Sequence, residues 1–476
     1  MTAPAATERV LATLNADGSR RWIRPRPSRG RWWMTRRNVA WVLMALFLAL
    51  PHLRIAGKPA VLLDLPRREF TILGTTFLST DTLLLMLLGI SILVAIFLMT
   101  ALLGRVWCGW ACPQTVYMEF LFRPIERWIE GGWNQSRAMD RERKHFHPRR
   151  LAKYVIYAGL AAILGNSFLA YFVGTERLWR WMQSSPYEHP AAFLVMFVTT
   201  AAAYFDFAWF REQTCVVACP YGRWQSVLLD RQSLIVAYDR LRGEPRGHGA
   251  NARGGRAGLG DCVDCNACVI TCPTGIDIRD GLQMECIHCA QCADTCDAIM
   301  AKVGRHPGLI RYASQESLAG HARRLLRPRT VLYPAAFVLF FGAFLYNLGA
   351  RDAADVTLLG TVGAPFERGA ADTIVNQVRI RVANRTRVPQ RYAVDLLDAP
   401  GARLIAPQNP LPVDPGVTAT TSVFVLAPEA SFHDESFAVR FRLSDGKGFQ
   451  KEFHWRLRGP EQPENGQRDR PKYRER

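Results

Sequence analysis

The sequence predicts a multi-domain membrane protein with an α-helical membrane domain of about five spans, a cysteine-rich insert before the last span and a C-terminal β-sandwich. Three observations carry this prediction. Apolar residues, 49% of the chain, gather in stretches of membrane-spanning length. Eight of the 12 cysteines fall between Cys262 and Cys296. After Ala350 the hydrophobic pattern turns to period two, the signature of half-buried strands. At 476 residues the chain is longer than a single core sustains.

Residues 1–37 are polar, proline-bearing and rich in arginine, without the short apolar core and small-residue cleavage site of a signal peptide. Membrane entry is therefore expected to use internal spans. These are read at 38–55, 82–104, 151–173, 190–210 and 330–349, the first interrupted by Pro51. The first four make a membrane core over 38–210. Lys and Arg number nine in 1–38, nine in 105–150 and sixteen in 211–329, against four in 54–81 and two in 174–189. Because positive loops stay inside, the N-terminus and the cysteine-rich insert at 211–329 are expected to be cytoplasmic, and everything beyond the fifth span, 330–349, periplasmic. The same loops account for the net charge of +19, so nucleic acid is not an expected partner.

Beyond that span, Val378 to Val382 and Phe437 to Leu443 alternate apolar with polar residues, while Ser422 to Leu426 is a short, mostly apolar run that suits a fully buried strand. Asp414-Pro415-Gly416 and Asp445-Gly446 supply turns. Residues 350–458 therefore read as a sandwich of immunoglobulin-like size, followed by a polar, disordered tail at 459–476.

The insert reads Cys262-x2-Cys265-x2-Cys268-x3-Cys272-Pro273, then Cys286-x2-Cys289-x2-Cys292-x3-Cys296. Two-residue gaps let three thiolates of one loop reach three corners of a cubane, and the fourth cysteine of each run serves the other cluster. This is the two-cluster ferredoxin pattern, so a ferredoxin-like insert with two 4Fe-4S clusters is expected, one on Cys262, Cys265, Cys268 and Cys296, the other on Cys286, Cys289, Cys292 and Cys272. A zinc site uses single C-x2-C pairs and does not account for two matched runs. Asp297 stands where the first run has Pro273.

The remaining cysteines form two C-x3-C-P motifs, Cys108/Cys112 and Cys215/Cys219, each following a span. The pattern of two spans and one motif occurs twice, which suggests a pseudo-symmetric core. Cysteines at i and i+4 share a helical face, and the following proline opens a new helix whose dipole lowers a thiol pKa. The four suit a soft metal such as Cu(I), a further iron-sulfur cluster, disulfides or plain packing, and spacing does not choose among them. Among lesser candidates, Asp206 is an acid near a span end that either binds a proton or cation or reaches water. His145 and His147 are either ligands or a solvated basic surface, Trp107 and Trp110 are interfacial, and Met86 and Met99 are fill.

Together with Trp107-Cys108-Gly109-Trp110-Ala111-Cys112-Pro113 and Arg242-Gly243-Glu244-Pro245-Arg246-Gly247, these features resemble the CcoG/FixG/RdxA family of cytochrome c oxidase accessory proteins over nearly the whole chain. The resemblance implies a multi-pass protein of the bacterial inner membrane that reduces Cu(II) to Cu(I) for assembly of a cbb-type oxidase, with copper at Cys108, Cys112, Cys215 and Cys219. Oxidase assembly factors or copper chaperones are then the expected partners, with the electron donor and any homo-oligomer left open. A quinol-oxidising electron-transfer subunit shares the motifs, and a copper chaperone without turnover is a third reading; the appended sandwich favours oxidase assembly.

Overall fold

Helices occupy all five apolar stretches of the computed structural model, which describes residues 12–14, 19–55, 57–78, 81–142, 147–247, 258–321, 326–361, 363–370, 372–386 and 388–460. Four of them, Thr82–Leu103, Pro148–Val173, Pro190–Phe210 and Pro328–Gly349, are long and apolar enough to cross a membrane. At most 33% of any of their apolar windows is buried against protein, which leaves leucine-rich and valine-rich faces for lipid. The chain divides into two compact units, Met1–Leu345 and Tyr346–Arg476. The tail expected from residue 459 falls, from 461 on, outside the described residues.

The first helix departs from expectation. It runs Arg31–Ala49, beginning earlier than 38 and ending before Pro51. Its arginine-bearing first half packs on the insert instead of entering lipid. Arg36 is fully buried, and its Nε donates to Gly109 O at 2.7 Å. The free N–H groups of the first turn find a carboxylate, since Trp32 N and Trp33 N donate to Asp294 at 2.9 and 2.7 Å. A side chain at Gly30 would collide with that carboxylate at 2.3 Å, so the cap needs glycine there. Residues 54–81, expected only as a connection, include a three-stranded antiparallel sheet of Val61–Asp64, Glu69–Ile72 and Thr75–Phe77.

The C-terminal unit has two antiparallel sheets. In one, Thr373–Asn384 lies between Thr418–Pro428 and Ala354–Leu359, with Val378 opposite Val423. In the other, Ser436–Ser444 lies between Gln390–Leu397 and Gln450–Arg458. The alternation places Val378, Ile380, Val382, Val439, Phe441 and Leu443 in one shared core. The Ser422–Leu426 run is not buried on both faces as expected: Val423 and Val425 are enclosed, while Phe424 and Leu426 are half-buried on the outer face. A two-sheet sandwich covers each strand on one face only.

Candidate metal centres

Two loops of the insert repeat one backbone device. Asp264 and Asn266 take left-handed φ values of 48° and 55°, and His288 and Ala290, at the matching positions of the second run, 53° and 57°. These residues bend the two-residue gaps so that successive thiols turn towards one space. One cavity, about 350 Å³ of protein-free space, is lined by Cys262, Cys265, Cys268 and Cys296. A second, about 340 Å³, is lined by Cys286, Cys289, Cys292 and Cys272, and by Cys268 as well. Each set takes three cysteines from one run and the last from the other. No three Cys, His, Asp or Glu side chains among the described residues stand close enough to enclose a single ion. Three cysteines of one run with one of the other suit a cubane, in which each iron takes its own thiolate at a separate corner. Burial pushes the Cys268, Cys286 and Cys296 thiols up to about 12, so a thiolate there would need a bound metal to stabilise it.

The two C-x3-C-P motifs come together. Each of the four thiols lies within electrostatic reach of the other three. Cys108 sits in the short helix Val106–Trp110, whereas Cys112 is extended and stands before Pro113, which opens a new helix. Cys215 lies in the π-turn Thr214–Ala218, and Cys219 is again extended before Pro220. The paired cysteines therefore do not share a helical face, because the proline ends the preceding turn. Nor does the new helix lower the Cys112 thiol. Burial raises it, outweighing the N–H groups of Thr115 and Gln114 that favour thiolate. Burial likewise pushes Cys108 up to about 11 and Cys215 up to about 12. Cys108 Sγ donates to Gln225 Oε1 at 3.1 Å, and Gln225 Nε2 is fixed by Tyr221 OH at 2.7 Å and Thr100 Oγ1 at 3.1 Å.

This thiol group abuts the insert. Cys108 packs in one apolar cluster with Ile287 and Cys289, and a Cβ at Gly109 would stand 2.5 Å from Ile287 O. Arg105 N donates to His288 Nδ1 at 3.0 Å. Trp110 Nε1 donates to Tyr312 OH at 3.0 Å, and that hydroxyl donates to His288 O at 2.6 Å, so Trp110 ties the first motif to the insert. Cys215 and Gln114 line one small pocket together with Pro273 and Ile287 of the insert.

Residues 210–315 match the family described as a 4Fe-4S dicluster domain, residues 85–133 one described as a 4Fe-4S binding domain, and residues 344–460 the immunoglobulin-like fold at the C-terminus of FixG. Protein RdxA of Cereibacter sphaeroides is 33% identical over 439 residues, an alignment spanning 88% of this chain and 91% of the relative. The chain belongs to the FixG/RdxA family. The nitrogen fixation protein FixG of Rhizobium meliloti is 31% identical over 474 residues, covering 88% of this chain and 89% of its own length. This FixG/RdxA member is an iron-sulfur protein of oxidoreductase-like type, with apolar helices that suit a membrane.

Sequence reading missed a buried charge network, part of which, at Arg123, Arg211 and Glu212, lines a pocket with Cys215. Arg211, fully buried, forks onto Glu126 at 3.0 and 3.1 Å. Lys153 reaches Glu126 at 3.1 Å and Glu130 at 2.7 Å, and Arg24 spans Glu126, Glu130 and Asp140. Arg123 meets Glu212 at 3.3 Å and donates to Pro273 O at 3.1 Å. The only local signal was the pair Arg211-Glu212 between an apolar span and a cysteine motif. Of the lesser candidates, His147 caps the Pro148–Val173 helix by accepting from Arg149 N. His145 lies outside the described residues. Met86 and Met99 are exposed on the Thr82–Leu103 span, as fill facing lipid would be.

Proposed function

We propose that this FixG/RdxA member reduces Cu(II) to Cu(I) at Cys108, Cys112, Cys215 and Cys219 and supplies the reduced ion for assembly of a cbb-type cytochrome c oxidase. The observation that carries the reading is the meeting of four thiols from two motifs against the cysteine loop at Ile287 and Cys289. Copper is the substrate, and each ion takes up one electron. Thiolates are soft donors that favour Cu(I) over Cu(II), so the four cysteines stabilise the product. Gln225 orients the Cys108 thiol, and the buried setting of Cys108 and Ile287 keeps water from it.

Cys262, Cys265, Cys268 and Cys296 would hold one 4Fe-4S cluster and Cys286, Cys289, Cys292 and Cys272 the other, a reading supported by the two cavities. Such clusters, when bound, supply one-electron storage beside the thiol group. The arginine-rich segments 105–150 and 211–329 support a cytoplasmic insert and a periplasmic sandwich in the bacterial inner membrane.

A second reading, a third cluster on the four membrane thiols, is favoured by the 4Fe-4S binding match over 85–133, which contains Cys108 and Cys112. Iron analysis separates them, since two clusters hold about eight iron atoms per chain and three about twelve. The deciding assay mixes chemically reduced full-length protein with Cu(II) and follows Cu(I) formation. Replacing the four cysteines by alanine is expected to suppress reduction while iron stays at the two-cluster level. Undiminished reduction would overturn the copper site.

A further inference from the structure

We propose that Asp206 is a positioning residue that holds the two C-x3-C-P segments against each other so that their thiols face one site. The inference deepens the reading of the four cysteines as one centre and rests on it.

Asp206 opens the π-turn Asp206–Phe210, which continues directly from the Pro190–Phe205 helix. Such turns re-aim side chains relative to the regular helix and recur at functional sites. Asp206 Oδ1 accepts hydrogen bonds from Gln114 Nε2, at 3.2 Å, and from Thr214 Oγ1. Gln114 lies two residues after Cys112, in the helix opened by Pro113, and Thr214 immediately precedes Cys215. One carboxylate oxygen thus ties the first motif to the second. The amide of Gln114 also donates to Arg211 O at 2.9 Å, and Arg211 N returns to Asp206 O at 2.5 Å, so the bend between span and second motif closes around the glutamine. The reverse tie is Gln225, on the helix after Cys219, which accepts from Cys108. A carboxylate that merely reached water would need neither donor. Here two donors, more than 90 residues apart in sequence, fix its orientation.

The test uses full-length protein in detergent without oxygen. A short bifunctional maleimide links thiols across the motifs, the linked peptides are measured by mass spectrometry, and iron content reports the integrity of the insert. Asp206→Ala, which removes both hydrogen bonds, is expected to slow cross-motif linking at least about tenfold, the worth of one charge-assisted hydrogen bond, while Asp206→Asn, which keeps an oxygen acceptor, stays within about twofold. Thr214→Val combined with Gln114→Leu removes both donors, spares the carboxylate and is expected to reproduce Asp206→Ala; it carries the test should that variant fail to fold. Wild-type linking with full iron content in either protein overturns the positioning role. Linking requires no copper, so a wild-type chain that fails to reduce Cu(II) would sink the copper reading and leave this one to its own result.

Discussion

Glu126 is where the charges of the membrane junction converge. Burial by itself would raise its carboxyl, but Arg211, Arg24 and Lys153 outweigh that and hold it well below the ordinary carboxylate range. A depressed folded value contributes stability that is complete above the unfolded value, about 4.3, and is lost as pH falls through the folded one. The thermal unfolding midpoint in detergent should therefore fall progressively as pH drops below about 4, and Glu126→Gln should flatten that dependence. At neutral pH the same substitution strands buried cations and is expected to cost about 3 to 5 kcal/mol, read as a lowered Tm. None of this was visible in the sequence. Glu126 and Arg211 stand 85 positions apart, and Arg105 and His288 183 apart, so no local spacing joins them. The two cysteine runs were legible for the opposite reason, since their two-residue gaps are a local pattern in the sequence.

Among elements, the contact between the first motif and the insert depends on a missing side chain. Gly109→Val would drive a branched group into Ile287 O and the Cys289 backbone. Iron content should stay at the wild-type level, while Cu(I) formation falls about tenfold to a hundredfold, the usual penalty for displacing a reacting group by about an ångström. In the sandwich, Asn376 joins the sheets: its Nδ2 donates to Arg458 O at 2.9 Å, and its Oδ1 accepts from Arg458 N at 2.8 Å. Asn376→Leu leaves those backbone groups buried without partners and should cost about 1 to 3 kcal/mol, seen as faster hydrogen exchange in 373–384 and 450–458. The strand alternation that placed Asn376 inward could be read in advance. Its partner could not, because sheet-to-sheet pairing is not encoded in either strand alone.

At the scale of the molecule, the two compact units carry different dependencies. Iron binding and folding are coupled wherever thiolates must be assembled around metal. Removing iron with a chelator should therefore loosen residues 258–313 while hydrogen exchange across 373–458 stays as in the loaded protein. A parallel loss of protection in the sandwich would show that the units unfold together.

By itself the sequence determined the apolar spans, the two cysteine runs, the paired C-x3-C-P motifs and the period-two strands, because each is a regularity within a few residues. The tertiary structure alone decided that the first helix turns Arg36 into the protein, that four cysteines from distant motifs share one place, and that the place lies against Cys289. Those outcomes depend on which buried polar groups find partners once the chain has closed, and a buried arginine or carboxylate is tolerated only where distant residues supply its hydrogen bonds.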